Sequence, residues 1–144
     1  MVRKAEAADA GTIAGLAVQM WNTSTVPELT REFLDMMEQG KTQFFLKYDQ
    51  GTPVGFAQCA LRTDYVEGTE TSPVGYLEGV FVQEAYRRRG CARELLAECE
   101  KWAKEKGCRE FASDCEAVND SSFRFHLAVG FGEANRIICF TKKL

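Results

Sequence analysis

The 144-residue chain has one histidine, three prolines and no pair of cysteines spaced Cys-x-x-Cys. Each scarcity excludes something. A lone imidazole, His126, rules out every mechanism that needs two, His-Glu-x-x-His zinc sites included. The six cysteines, at 59, 91, 99, 108, 115 and 139, lack the paired spacing of zinc ribbons and thioredoxin motifs, so no metal is expected. Cys91 and Cys99 fall in one amphipathic stretch, Cys59 and Cys139 in apolar strand-like ones. Reduced, buried thiols in a cytoplasmic protein are expected. No apolar run approaches the roughly 20 residues of a bilayer span. The opening residues 1–9 lack the apolar stretch of a secretion signal, and no membrane association is expected. Neither sign of charge dominates: 18 Lys+Arg against 21 Asp+Glu give −3. That suits a nucleic-acid binder poorly, since such affinity comes from neutralised phosphates, and suits a cationic partner better.

What remains has the composition of an ordinary globular chain, 45% hydrophobic and 27% charged, at the size of one domain spanning 1–144. Such a chain buries about 68–70% of its unfolded surface without disulfide or metal. Residues 2–6 predict a strand. Asp9 predicts the cap of a helix through Ile13, Leu16, Ala17 and Met20, closed by Trp21. Pro27 in a first turn opens a second helix that stops before Gly40. Strands follow at 44–48 and 54–62 around a turn at 49–53, then a loop at 63–75 and a strand at 76–82, apolar on both faces as a central strand should be. Helical period returns after Gly90, with Glu100–Lys104 and Lys101–Glu105 as i,i+4 pairs, and ends at Gly107. A strand at 109–115, a short helix capped by Asn119 or Asp120 and stopped by Gly130, and a last strand or strand pair from Phe131 onward that includes 137–140 complete a mixed α/β (α+β) order. The apolar 137–140 run could serve as an interface or as core.

The most informative segment is the strand 76–82 followed by Arg87-Arg88-Arg89-Gly90-Cys91-Ala92. A helix start carries unpaired N–H groups and a partial positive charge. Gly90 and the small Ala92 let backbone approach an anion, and the arginines add charge. The arrangement can cradle a pyrophosphate without a P-loop lysine. A basic loop that caps a helix and faces water fits the local chemistry equally.

The run R-x-x-G-x-A at Arg87, Gly90 and Ala92, after a strand and opening a long helix, resembles the acetyl-CoA loop of the GNAT superfamily of N-acetyltransferases. The order of elements across the whole chain resembles that fold, as do Asn119 after the next strand and Gly130-Phe131 after the following helix. Asp64-Tyr65-Val66-x-Gly68, Ser72-Pro73-Val74, 77–82, Phe111-Ala112-Ser113-Asp114 and Trp21 resemble the aminoglycoside 6'-N-acetyltransferases more narrowly. The resemblance implies a mixed central sheet splayed between its fourth and fifth strands, flanked by about four helices. It implies acetyl-CoA as co-substrate, its arm added as a strand along the backbone of Val80, Phe81 and Val82. One N–H there would face the thioester oxygen. The diphosphate would rest on Arg88, Arg89, Gly90, Cys91, Ala92 and Arg93, and Asn119 would bond the arm. The implied acceptor is a polycationic aminoglycoside, walled by Trp21 and Tyr65. A homodimer is implied by relatives that are often dimers.

Glu78 interrupts an apolar strand, and a buried carboxylate is costly unless paired. It reads either as half of a structural salt bridge or as facing a cationic acceptor. Asp114, at the end of the next strand, reads as a loop hydrogen-bonding group or as the second acid of that pocket. Together they could hold ammonium groups and receive a proton. Trp21 and Tyr65 have blander alternatives, a core residue at a helix end and an ordinary loop aromatic. Two departures from the family stand out. His126 takes the place where many members carry a tyrosine that protonates the departing thiolate; it reads as that donor or as a satisfied structural histidine. Asn135 stands where relatives may place an acidic contact and cannot neutralise an ammonium. Without an activated Cys or Ser, direct transfer in a ternary complex is expected. Acetylation of another small amine, a polyamine or a peptide N-terminus, or a CoA-binding module without turnover, are the competing readings.

Overall fold

The computed structural model describes residues 1–144. Its sheet has five strands in chain order: β1 (Val2–Lys4), β2 (Thr42–Asp49), β3 (Thr52–Arg62), β4 (Val74–Val82) and β5 (Phe111–Ser113). The first four are antiparallel and β5 joins β4 in parallel. Helices α1 (Ala10–Ala17) and α2 (Val26–Gln39) bury Ile13, Leu16, Leu29 and Phe33 against Phe44, Leu46 and Phe56 on one face. On the other face α3 (Cys91–Glu105) buries Leu95, Leu96, Cys99 and Trp102 against Phe45, Cys59 and Leu77, and α4 (Asp120–Ala128) adds Phe125 at the margin. Covered on both faces over residues 74–77, β4 has no wet side there, which is why its sequence is apolar without alternation, while residues 78–81 are half-buried. This is the fold class read from the sequence, splayed between β4 and β5.

Local chemistry sets the boundaries. Thr25 caps α2: its Oγ1 accepts from the Glu28 N–H at 3.3 Å and donates to the Glu28 carboxylate at 2.9 Å, while Gly40 ends the helix at φ 78°. Asp9 differs from expectation. It precedes α1, but its carboxylate is taken by Arg3, at 2.8 and 2.9 Å, and by the Glu6 N–H at 2.8 Å, so it closes a 3-10 turn and leaves α1 uncapped. Helix α1 also stops at Ala17, four residues before Trp21; the Met20 N–H bonds back only three residues, to the Ala17 carbonyl at 2.9 Å. Neither Glu100–Lys104 nor Lys101–Glu105 closes as an ion pair, because long exposed side chains lose entropy for little Coulomb gain.

Two further expectations fail at the C-terminus. Strand β5 spans only Phe111–Ser113, because β4 is its sole neighbour and pairs with it only from Gly75 to Leu77. The strand expected at 137–140 does not form. The last main-chain hydrogen bond runs from the Phe131 N–H to the His126 carbonyl, 3.0 Å, and beyond it the chain is an arm that makes no main-chain hydrogen bond. Ile137, Ile138 and Phe140 are 67%, 81% and 87% exposed, so this run is not core of its own chain. Cys59, Cys91, Cys99 and Cys108 are buried free thiols as expected, but Cys115 is half-buried and Cys139 is exposed on the arm. A hydrogen bond with Cys59 and burial push the Cys99 thiol up, which makes it a poor nucleophile.

Candidate active site

Strands β4 and β5 pair from Gly75–Phe111 to Leu77–Ser113 and then diverge. From residue 78 to 82, β4 stays bonded to β3 on one side and has no strand on the other. An unpaired edge in the middle of a sheet is a template for an extended chain. Val80, Phe81 and Val82, the three residues expected to receive the cofactor arm, lie along it.

The edge runs into the basic loop. Arg88 and Gly90 both adopt positive φ, 62° and 82°, and a side chain added at Gly90 would meet open space. Helix α3 starts there with no side-chain cap, and its first N–H to find a carbonyl is that of Glu94, on Gly90 at 3.0 Å. The N–H groups of residues 88–93 therefore have no main-chain partner, which is the donor set of an anion nest. Arg88 and Arg89 are exposed beside it. Arg87 is not available in the same way: its Nε donates to the Val82 carbonyl at 2.8 Å, tying the loop to the strand end. Arg93 likewise donates to the Ala128 carbonyl at 3.0 Å and joins α3 to α4.

Glu78 sits at a β-bulge. Gln58 opposes Gly79 and Cys59 opposes Leu77, so Glu78 is the extra residue on β4, and bulges re-aim side chains. Its carboxylate turns to Arg62, the last residue of β3, which donates from Nη2 at 2.8 Å and from Nε at 3.1 Å. The same guanidinium lies 3.4 Å from the ring centroid of Tyr76. The Tyr76 hydroxyl in turn donates to Asp114. Both acids thus flank one Arg62–Tyr76 stack. The Glu78 carboxylate beside it raises the Arg62 pKa, while burial, followed by the bond to Asp114, raises that of the Tyr76 phenol. The salt bridge foreseen for Glu78 exists, and it sits in the cleft where the acid pair was expected. Arg62 and Tyr76 escaped the sequence reading. A carboxylate in an apolar strand demands a cation, and that demand was the available signal.

On the opposite face of the same strand pair stands His126. Its Nδ1 is 2.7 Å from the Ser122 carbonyl, which can only accept, so Nδ1 carries a proton. Its Nε2 is 2.8 Å from the Ser113 hydroxyl, which also lies 3.2 Å from the Leu77 carbonyl. With a neutral ring the serine donates to Nε2. With a charged ring Nε2 donates and the serine turns to Leu77. Both nitrogens are satisfied, and the Nε2 bond ends at Ser113, the last residue of β5 before the strands part.

Trp21 packs as a core residue near a helix end and also reaches the β4 strand. Half-buried, it meets Phe33 and Phe56 edge-on at 6.3 and 6.0 Å, and its ring lies over Gly79, where an added Cβ would fall 2.8 Å from it. Tyr65 is 76% exposed on the 63–73 loop, and the structure does not bring it to the acids. Asn119 caps α4, its Oδ1 accepting from the Ser122 N–H at 3.1 Å, which leaves its NH2 free. Asn135 donates to Glu67 at 2.5 Å and so ties the arm to that loop. No cluster of three or more His, Cys, Asp or Glu suits a metal ion.

Comparison with known proteins agrees with this geometry. The profile of the acetyltransferase (GNAT) family matches residues 5–131. An aminoglycoside N(6')-acetyltransferase type 1 of Stenotrophomonas maltophilia is 40% identical over 145 residues, covering 99% of this chain and 93% of the relative. That of Serratia marcescens is 38% identical over 130 residues, covering 90% and 89%. The structure of the aminoglycoside N-acetyltransferase AAC(6')-Iy in complex with CoA superposes with TM-score 0.96 at 33% identity, covering 100% of this chain and 95% of that one. The same enzyme with a bisubstrate analogue, CoA-S-monomethyl-acetylneamine, gives 0.95, covering 100% and 98%.

Proposed function

The chain belongs to the acetyltransferase (GNAT) family, and we propose that it transfers an acetyl group from acetyl-CoA directly to the 6'-amine of an aminoglycoside antibiotic. The observation that carries this reading is the edge of β4 left free over residues 78–82, which leads into an uncapped α3 at one end and into the acid pair at the other. Val80, Phe81 and Val82 would hold the pantetheine arm by main-chain bonds, and the N–H groups from Arg88 to Arg93 would hold the diphosphate. Bound acetyl-CoA supplies the activated thioester. The chain's own part is to align the amine, bind its charge and place a main-chain N–H where a thioester oxygen gains charge. Glu78 and Asp114 bind the ammonium and take its proton, directly or through water. Trp21 walls the acceptor site beside Gly79, and Tyr65, exposed on the loop, would wall it only by moving in toward the acids. Asn119 bonds the arm of the cofactor with its free NH2. A charged His126 would pass its Nε2 proton to the Ser113 oxygen as the Ser113 hydroxyl proton turns from the Leu77 carbonyl to the departing thiolate, which leaves the ring neutral, and Asn135 contributes a neutral contact.

Two coarser points extend the reading. Two copies associate through the arm, a reading supported by its exposed Ile137, Ile138 and Phe140 and by its unpaired backbone. The six free thiols support a cytoplasmic setting.

The test is to incubate the protein with acetyl-CoA and a panel of amines, follow released CoA, and locate the acetyl group by NMR. Acetylation at the 6'-position of an aminoglycoside is expected. Glu78→Gln or Asp114→Ala should lower kcat/KM by on the order of 10²-fold. Preference for a peptide N-terminus, or no release with any amine, would replace the reading.

A further inference from the structure

The acid pair assigned to the acceptor already holds a cation. Arg62 presents its fork to both oxygens of Glu78, 2.8 and 3.1 Å away, and its flat face to the Tyr76 ring at 3.4 Å. Tyr76 is 6% exposed and anchored to Asp114, so the platform under the guanidinium is fixed. The guanidinium is not. Its side chain is 42% exposed, and every hydrogen bond it makes goes to Glu78. A fixed ring and a carboxylate around a removable cation describe a site for an ammonium group with a placeholder in it.

We propose that Arg62 occupies the ammonium position of the acceptor and must be displaced by it, so that it lowers the affinity of every ammonium acceptor by the same factor, a loss that acceptors bearing several positive charges offset and those bearing one do not. The proposal rests on the reading of Glu78 and Asp114 as the acceptor site. A single ammonium that evicts Arg62 exchanges one charge-assisted pair with Glu78 for another and leaves the freed guanidinium as a like charge nearby, a nearly balanced exchange. A second ammonium on the same molecule, engaging Asp114, tips that balance at no further cost in translational freedom. Arg62 thus acts as a built-in competitor that a lone amine cannot beat and a polycation can.

The experiment compares the unmodified chain with Arg62→Gln and Arg62→Lys, using neamine as the polycation and methyl 6-amino-6-deoxyglucoside as the single-ammonium sugar. Calorimetric binding without acetyl-CoA is read first, then KM and kcat with it. In Arg62→Gln the single-ammonium sugar and neamine should each bind about tenfold more tightly, with KM lowered to match. Arg62→Lys, a cation without the fork, should fall between the two. Weaker binding of both compounds would overturn the proposal, because Arg62 would then support the site instead of filling it. Unchanged binding of both would overturn it too. Failure of the unmodified chain to bind neamine at all would overturn the underlying reading along with it, whereas neamine binding that Arg62→Gln leaves unchanged would sink the placeholder alone.

Discussion

Every buried residue of this chain lies between Ala5 and Cys108, and residues 109–144 contain none. The first region has two closed cores, one on each face of the sheet. The second has a three-residue strand, a helix with no buried side chain and an arm with 67–87% of Ile137, Ile138 and Phe140 in water. Yet Asp114, Asn119, His126 and Asn135 belong to the second region, and only the β4 edge, the cradle, Trp21, Tyr65 and Glu78 to the first. A site made of these candidates would have one wall set by packing and one wall with no buried side chain. Elements that must open for ligands come from the less stable end of a molecule.

The sharpest way to break the comparison is to truncate one aromatic ring in each region. Phe33 is 1% exposed between Trp21 and Phe44, with ring centroids 6.3 and 4.8 Å away. Phe33→Ala should cost about 3–5 kcal/mol in urea unfolding. Phe131 touches Phe111 and His126 at 6.1 and 5.1 Å but is only half-buried, and Phe131→Ala should cost about 1–2 kcal/mol. Equal losses would mean that the two regions fold as one equally packed unit.

Next in size is the arm. Ile138→Lys should leave the unfolding midpoint of the body unchanged and weaken self-association by about 1.5–3 kcal/mol, on the order of ten- to hundredfold in Kd. Sedimentation velocity across a dilution series reads it. A monomer at every concentration, before and after the substitution, would remove the assembly and leave the arm without a partner.

The same division explains what could be read from the sequence. The cradle was legible because its chemistry is local: Gly90 at positive φ, small Ala92 and a helix start sit within a few residues. Glu78 was legible as an anomaly, but its partner Arg62 was not. The pairing depends on the antiparallel register of β3 and β4 across a long loop, and on a bulge that moves Glu78 out of simple alternation. Asp9 misled because its carboxylate had a better donor in Arg3 than an N–H of α1. The run at 137–140 has the composition of a strand, but a strand also needs a neighbour, and composition carries no information about a second chain.

A smaller effect should come from the cofactor. If the β4–β5 splay is what CoA fills, saturating CoA should slow amide exchange in β5 and α4 by about tenfold, or about 1.4 kcal/mol, and leave α2 unchanged. Uniform slowing over the chain would point to global stabilisation and erase the distinction. No slowing anywhere would remove CoA from this cleft.

The smallest effect pairs one carboxylate from each region. The Arg3 guanidinium holds the Asp9 carboxyl below its usual range, with the Glu6 N–H helping. The Thr71 hydroxyl, then the Glu70 and Thr71 N–H groups, do the same for Glu110, which pins the 63–73 loop to the start of β5. Both folded-state pKa values lie below the unfolded ones, so both contributions are complete above the ordinary carboxylate range. They vanish as pH falls through the lowered values. Asp9 secures β1 to the packed body, so Asp9→Asn should lower stability at neutral pH by less than about 1 kcal/mol and flatten part of the acid limb. Glu110 is half-buried and its carboxylate bonds only Glu70 and Thr71 of the loop, so Glu110→Gln should leave global stability alone and instead raise amide exchange in residues 69–72 at neutral pH, a difference that closes in acid. If Glu110→Gln moved the global midpoint as far as Asp9→Asn, the loop and β5 would have to count as part of the packed body, and the boundary at Cys108 would be in the wrong place.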